Sequence, residues 1–169
     1  MEAPGRHQRA VSKAHVVTVS DGAFHGNRQD ASGSALVNLL SQAGFEVEGP
    51  QIVPDDIERI GEAVLTAVER GLDLVVVTGG TGLGPRDVTP QAISTLIDYE
   101  VPGIGEAMRR AGAETTPMAL LSRSMAGVRK RTLVISVPGS PKGATESLEA
   151  VMPVLGHAIQ LLHGDTTHT

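Results

Sequence analysis

Cysteine and tryptophan are absent from the 169 residues, tyrosine occurs once and phenylalanine twice. Without thiols there is no disulfide, no thiolate-held zinc, no iron–sulfur cluster and no cysteine nucleophile. Three aromatic rings (Phe24, Phe45 and Tyr99) are too few for a platform on which single-stranded bases stack. Positive charge is scarce too. The 14 Lys and Arg stand against 19 Asp and Glu, a formal net charge of -5, which argues against a nucleic-acid binder. No apolar run approaches the ~20 residues that span a bilayer, and the polar segment 1–13 lacks the apolar stretch of a secretion signal. The expectation is a cytoplasmic protein without membrane or nucleic-acid partners. It has a disordered leader over 1–13, one domain over 14–162 and a loose polar tail over 163–169.

Glycine is over-supplied: 20 of 169 residues, against a usual ~7%. Its distribution follows the alternation of strands and helices. The β-branched runs 15–20, 73–78 and 132–137 read as strands, with weaker ones at 46–53 and 121–126. Helical spacing of apolar residues marks 31–43, 54–70, 90–98, 103–113 and a long 141–162 containing Pro153. Such alternation predicts an α/β fold of three layers, α/β/α, with a mostly parallel central sheet. Ligands of such sheets sit beyond the carboxyl ends of the strands, which is where the glycines cluster.

Thr78-Gly79-Gly80-Thr81-Gly82-Leu83-Gly84 leads through Arg86, Asp87 and Val88 into Thr89-Pro90. Four glycines in six residues let the backbone approach a ligand closely, and exposed N–H groups at a strand-to-helix turn suit an anion. The spacing is neither that of a Walker A loop nor Gly-x-Gly-x-x-Gly. The plainer alternative is a tight turn with Thr89 as N-cap and Pro90 at the first helical position. Asp87 is either a Mg2+ ligand, since a carboxylate beside phosphates needs a cation between them, or a turn-stabilising residue. A second loop, Val137-Pro138-Gly139-Ser140-Pro141-Lys142-Gly143, also joins a strand to a helix. Ser140 suits the N-cap, and Lys142 in the first turn opposes the helix dipole unless an anion faces it.

Other strand ends carry Ser20-Asp21, Asp30 or Ser32 as a helix cap, and Asp55 with Glu58 at capping-box spacing. Glu106 and Arg109 are an i,i+3 pair, which can be a surface ion pair. The six histidines show no metal-ligand spacing, and no Gly-x-Ser-x-Gly elbow supports a serine nucleophile.

Taken in order, Thr78–Gly82, Arg86–Pro90 and Pro138–Lys142 resemble the molybdopterin-binding family of molybdenum cofactor biosynthesis. Val19–Asp21, Asp30-x-Ser32-Gly33, Pro54-Asp55, Pro102-Gly103-x-Gly105-Glu106 and Leu121–Arg123 support it. The resemblance covers residues 14 to 160 and points to the stand-alone Mog and MoaB type. It implies a MoaB/Mog-like fold and adenylyl transfer from MgATP to molybdopterin, giving adenylyl-molybdopterin and pyrophosphate. It further implies Asp55 and Asp87 as the catalytic aspartates, with Asp87 on Mg2+. Ser20, Asp21, Thr78, Gly79, Gly80, Thr81, Gly82, Arg86, Pro138, Gly139, Ser140 and Lys142 are implied to contact nucleotide or pterin. A homo-oligomer is implied, commonly a trimer and sometimes a hexamer, with a molybdate-insertion enzyme as a further partner. The apolar run 117–121 is either an interface or core. One departure is Gln91, where the family pattern often has Glu. The alternative function is a non-catalytic molybdopterin-binding or scaffold protein of the same pathway.

Overall fold

Runs of Val, Leu and Ile flanked by glycine and polar turns make strands that are buried on both faces. The computed structural model describes residues 10–166. Its elements are β1 (Lys13–Val19), α1 (Asp21–Phe24), α2 (Ala31–Gln42), β2 (Glu46–Val53), α3 (Ile57–Glu69) and β3 (Leu74–Thr78). There follow α4 (Thr89–Ser94), β4 (Tyr99–Glu100), α5 (Pro102–Thr115), a 3-10 turn (Pro117–Leu121), β5 (Ala126–Arg129), β6 (Thr132–Val137) and α6 (Pro141–Leu162). The strands form one sheet in the order β2-β1-β3-β6-β5-β4. β2, β1, β3 and β6 run parallel, and β5 and β4 add an antiparallel edge.

Alternate residues of each central strand enter opposite cores. Val16, Val76 and Ile135 meet Leu36 and Leu40 of α2, Met108 of α5 and Leu148 of α6. Val17, Val77 and Val134 meet Ile60 and Val64 of α3 and Ile93 of α4. The three-layer expectation is therefore met. β1 lies between β2 and β3, so the chain departs from it in both directions, and a cleft opens at its carboxyl end.

Several boundaries differ from expectation. The strand expected at 121–126 is a 3-10 turn followed by an extended segment. Thr116 accepts from the Met118 N–H, and the carbonyl of Ser124 is taken by Arg109, so the sheet ladder starts only at Ala126. The helix expected over 90–98 stops at Ser94, because the Asp98 N–H joins Val128 O at 2.7 Å and opens β4. Glu106 and Arg109 form no ion pair among the described residues; Arg109 donates to the Ser124 carbonyl at 2.6 Å instead.

Of the expected leader, residues 1–9 lie outside the described residues, and Lys13 pairs with Glu46 as the start of β1. Of the expected tail, residues 167–169 lie outside them, and His163 sits 2.6 Å from Asp73. No helix among the described residues is long and apolar enough to cross a membrane.

Candidate active site

Four strand ends converge at the cleft: Ser20 and Asp21 after β1, Asp55 after β2, the glycine loop after β3 and Pro138–Ser140 after β6. Two glycines are required where this happens. Gly79 (φ +100°) lies so close to the Val19 carbonyl that a side chain would overlap it. Gly139 faces it, where a Cβ would stand 3.2 Å from the Gly79 Cα. Thr78 Oγ1 donates to the Pro138 carbonyl at 2.8 Å and the Gly79 N–H to Val137 O at 3.1 Å, so the β3 and β6 loops are tied together. A cavity of about 520 Å³, lined by Ser20, Asp55, Thr78, Gly79, Gly80 and Ser140, opens on one side of Gly139. A second, of about 340 Å³, opens on the other, lined by Thr81, Gly82, Arg109, Ser122 and Ser140.

Carboxylates dominate the β1 and β2 ends. The Asp21 N–H donates to Asp55 Oδ2 at 2.9 Å, and the Asp55 N–H returns to Asp21 Oδ1 at 3.0 Å. Arg86 closes on Asp21 with its fork, at 2.9 and 3.1 Å. The Asp55 N–H and then the Arg86 guanidinium hold the Asp21 carboxyl below its ordinary range. Burial pushes Asp55 the other way, and the nearby charges of Asp21 and Asp87 add to it. Arg86 is held more firmly protonated by Asp21. One of the expected anion-binding cations is therefore already paired in this state.

The capping roles differ from those expected of Asp55 and Thr89. Asp56, not Asp55, caps α3, accepting from the Arg59 N–H at 3.0 Å, which leaves Asp55 to the cleft. Val88 occupies the cap position of α4, and the Thr89 hydroxyl donates to the Gly79 carbonyl at 2.8 Å. Ser140 and Asp30 do cap their helices, accepting from Gly143 and Gly33. Ser20 caps α1 through Ala23. Asp87 stabilises the turn: its Oδ2 accepts from the Gly84 N–H at 2.8 Å. Lys142 points outward, its side chain 73% exposed and 3.8 Å from Glu146.

A residue the sequence pattern did not mark for the site is Arg123. It donates to the carbonyls of Gly82 and Asp87 and to Gln91 Oε1. Its signals in the sequence are a lone Arg between serines after an apolar run and its place in the Leu121–Arg123 segment that supports the family resemblance, neither of which assigns it a role. No group of three or more His, Asp or Glu side chains suited to a metal stands among the described residues. The donors present, Asp55 and Asp87, fit a hard cation that brings phosphate oxygens as its other ligands.

Fold and site together define a class: a three-layer α/β/α protein whose glycine loops and aspartates meet at the carboxyl edge of a parallel sheet. Residues 15–157 match the probable molybdopterin binding domain, and the chain belongs to that family of molybdenum cofactor biosynthesis. It is 51% identical to the molybdopterin biosynthesis enzyme MoaB of Thermus thermophilus, covering 91% of this chain and 98% of that one, with a TM-score of 0.85. It is 38% identical to the molybdopterin adenylyltransferase of Helicobacter pylori, over 89% of this chain and 87% of the relative. A bifunctional molybdenum cofactor biosynthesis protein of Synechococcus elongatus is 40% identical over 89% of this chain. The chain spans about half of that relative's length, 47%.

Proposed function

We propose that the protein transfers the adenylyl group of ATP to the phosphate of molybdopterin and releases pyrophosphate. The observation that supports this is the gathering of the glycine loop with its Asp87, the Asp21–Asp55 pair and Arg86 on Asp21 at the same carboxyl edge of the sheet. An oxygen of the pterin phosphate attacks the α-phosphorus of ATP, and the bond from that phosphorus to the β-phosphate oxygen breaks. The nucleophile is already an oxyanion, so no strong base is required. What remains for the protein is alignment and charge stabilisation.

The chain's own groups divide this work. Backbone N–H groups of Gly80, Thr81 and Gly82 in the first loop, and of Gly139 and Ser140 in the second, have no protein acceptor among the described residues and can meet a phosphate. Thr78 and Thr89 hold the strand end rigid through the Pro138 and Gly79 carbonyls. Arg86 exchanges Asp21 for the incoming phosphates, and Lys142 adds charge at the rim. Asp87, with Asp55, would hold Mg2+, which when bound neutralises the triphosphate. Burial of Asp55 among like charges is a cost that such a cation relieves. Pyrophosphate release on mixing the protein with molybdopterin and MgATP, absent when either is omitted, tests this. ATP hydrolysis without pterin would overturn it.

Assembly belongs to the same proposal. Met118, Leu120 and Leu121 are 64%, 62% and 52% exposed, which removes the core reading of this run and favours a subunit interface, in a trimer. The protein acts in the cytoplasm and passes its product to a molybdate-insertion enzyme.

A further inference from the structure

We propose that Arg123 is the positioning residue that shapes the glycine loop for an anion, and that Gln91 leaves its charge free to act there. This rests on the loop being the seat of the triphosphate.

Three donors of this one residue reach the loop and a fourth reaches α4 just after it. The Arg123 N–H meets Thr81 O at 2.8 Å. The guanidinium Nε meets Gly82 O at 2.9 Å, Nη2 meets Asp87 O at 2.7 Å, and Nη1 meets Gln91 Oε1 at 3.2 Å. Both ends of the loop, residues 82 and 87, are thereby gathered onto one planar group. Within that span Asp87 accepts from the Gly84 N–H and donates its own N–H to Gly84 O.

The consequence follows from peptide geometry. In a trans peptide the N–H of the next residue points opposite to the carbonyl. Drawing the carbonyls of Thr81, Gly82 and Asp87 onto Arg123 turns the N–H groups of Gly82, Leu83 and Val88 away from it. None of these three N–H groups has a protein acceptor among the described residues. Arg123 thus faces the loop with its donors and leaves three backbone donors on the opposite side, the arrangement that suits an anion.

Charge makes a second, separate contribution. Arg86 is paired with Asp21 at 2.9 Å, and Lys142 lies 3.8 Å from Glu146. Every acceptor on Arg123 is neutral: three carbonyls and the Gln91 amide. No carboxylate lies within ion-pair distance of it among the described residues. A glutamate at position 91 would keep the hydrogen bond and cancel the charge.

Three variants separate shape from charge: Arg123→Met, Arg123→Lys and Gln91→Glu. Hydrogen exchange of the ligand-free protein reads the loop. Calorimetric binding of ATP and of inorganic pyrophosphate at low and high salt reads the charge. Arg123→Met is expected to speed exchange of the Gly84 and Asp87 amides about tenfold, as loss of an ordering hydrogen bond would, with β3 and β6 unchanged. Arg123→Lys restores salt-dependent affinity but not the slow exchange, because an ammonium lacks the fork. Gln91→Glu leaves exchange as in the parent and weakens ATP and pyrophosphate binding roughly three- to fivefold at low salt, the difference closing at high salt. In turnover it raises KM for ATP with kcat nearly unchanged.

Unchanged loop exchange in Arg123→Met overturns the positioning role. Unchanged, salt-independent affinity in Gln91→Glu overturns the charge role. Should the parent protein bind ATP yet form no adenylyl product, the proposed reaction falls while these readouts still decide the inference.

Discussion

At the scale of the residue, Asp55 and Asp87 carry opposite burdens. Asp87 is both a strut of the loop, through the Gly84 N–H, and a charge. Asparagine can still accept that hydrogen bond, so Asp87→Asn isolates the charge. It is expected to lower kcat by about two to three orders of magnitude, the usual cost of one preorganised charge-stabilising group, with molybdopterin affinity retained in a binding assay. Asp55 is held partly desolvated beside Asp21 and Asp87, which raises its pKa. A carboxyl whose pKa is raised on folding opposes stability once it ionises, so its unfavourable effect grows as pH rises from the unfolded value through the folded one. Asp55→Asn keeps the acceptor for the Asp21 N–H and removes that charge. The variant should melt a few degrees higher than the parent at neutral pH and lose activity. The gain should vanish as pH falls and the parent's Asp55 becomes protonated, which thermal melts across the acid range would show.

At the scale of the element, Ser140 serves α6 and the cleft at once. It accepts from the Gly143 N–H at 3.1 Å and lines both cavities. Ser140→Ala is expected to cost about 1 kcal/mol in denaturant unfolding, as a lost N-cap does. Ser140→Asp should keep the cap and the stability but repel the anion, so ATP affinity falls while unfolding is unchanged. The strands and helices that feed this cleft were legible in the sequence because each satisfies its own local pattern. β6 and α6 occupy 132–137 and 141–162 as the β-branched run and the Ser-Pro cap predict. The glycine loops and their place at the sheet edge were legible for the same reason. What was hidden depends on partners far along the chain. Asp21 and Asp55 bond across 34 residues, and Arg123 reaches Gly82 across 41. Capping-box spacing pointed to Asp55, yet Asp56 took the cap, because Asp55 was claimed by Asp21. The segment 121–126 carries strand-like residues, but Arg109 and the Ser122 and Ser124 hydroxyls bond it before the ladder can.

At the scale of the whole molecule, the carboxyl edge of the sheet gathers the two glycine loops and the Asp21–Asp55 pair, and the exposed run 117–121 offers apolar surface next to it. Met118 and Leu121 line the smaller cavity, so assembly through this run would place a second chain beside the cleft. Light scattering is expected to give three times the mass of one chain, and Leu120→Asp to shift it toward the single-chain value. The absence of cysteine has a molecular meaning as well. A protein that handles a dithiolene pterin offers no thiol of its own to compete for it.

The central claim is that this cleft joins two phosphates rather than merely holding a pterin. Purified protein mixed with molybdopterin and MgATP should yield adenylyl-molybdopterin, detected by mass, in step with pyrophosphate. Tight binding of molybdopterin with no adenylylated product under those conditions would contradict the account and leave a pterin-binding scaffold in its place.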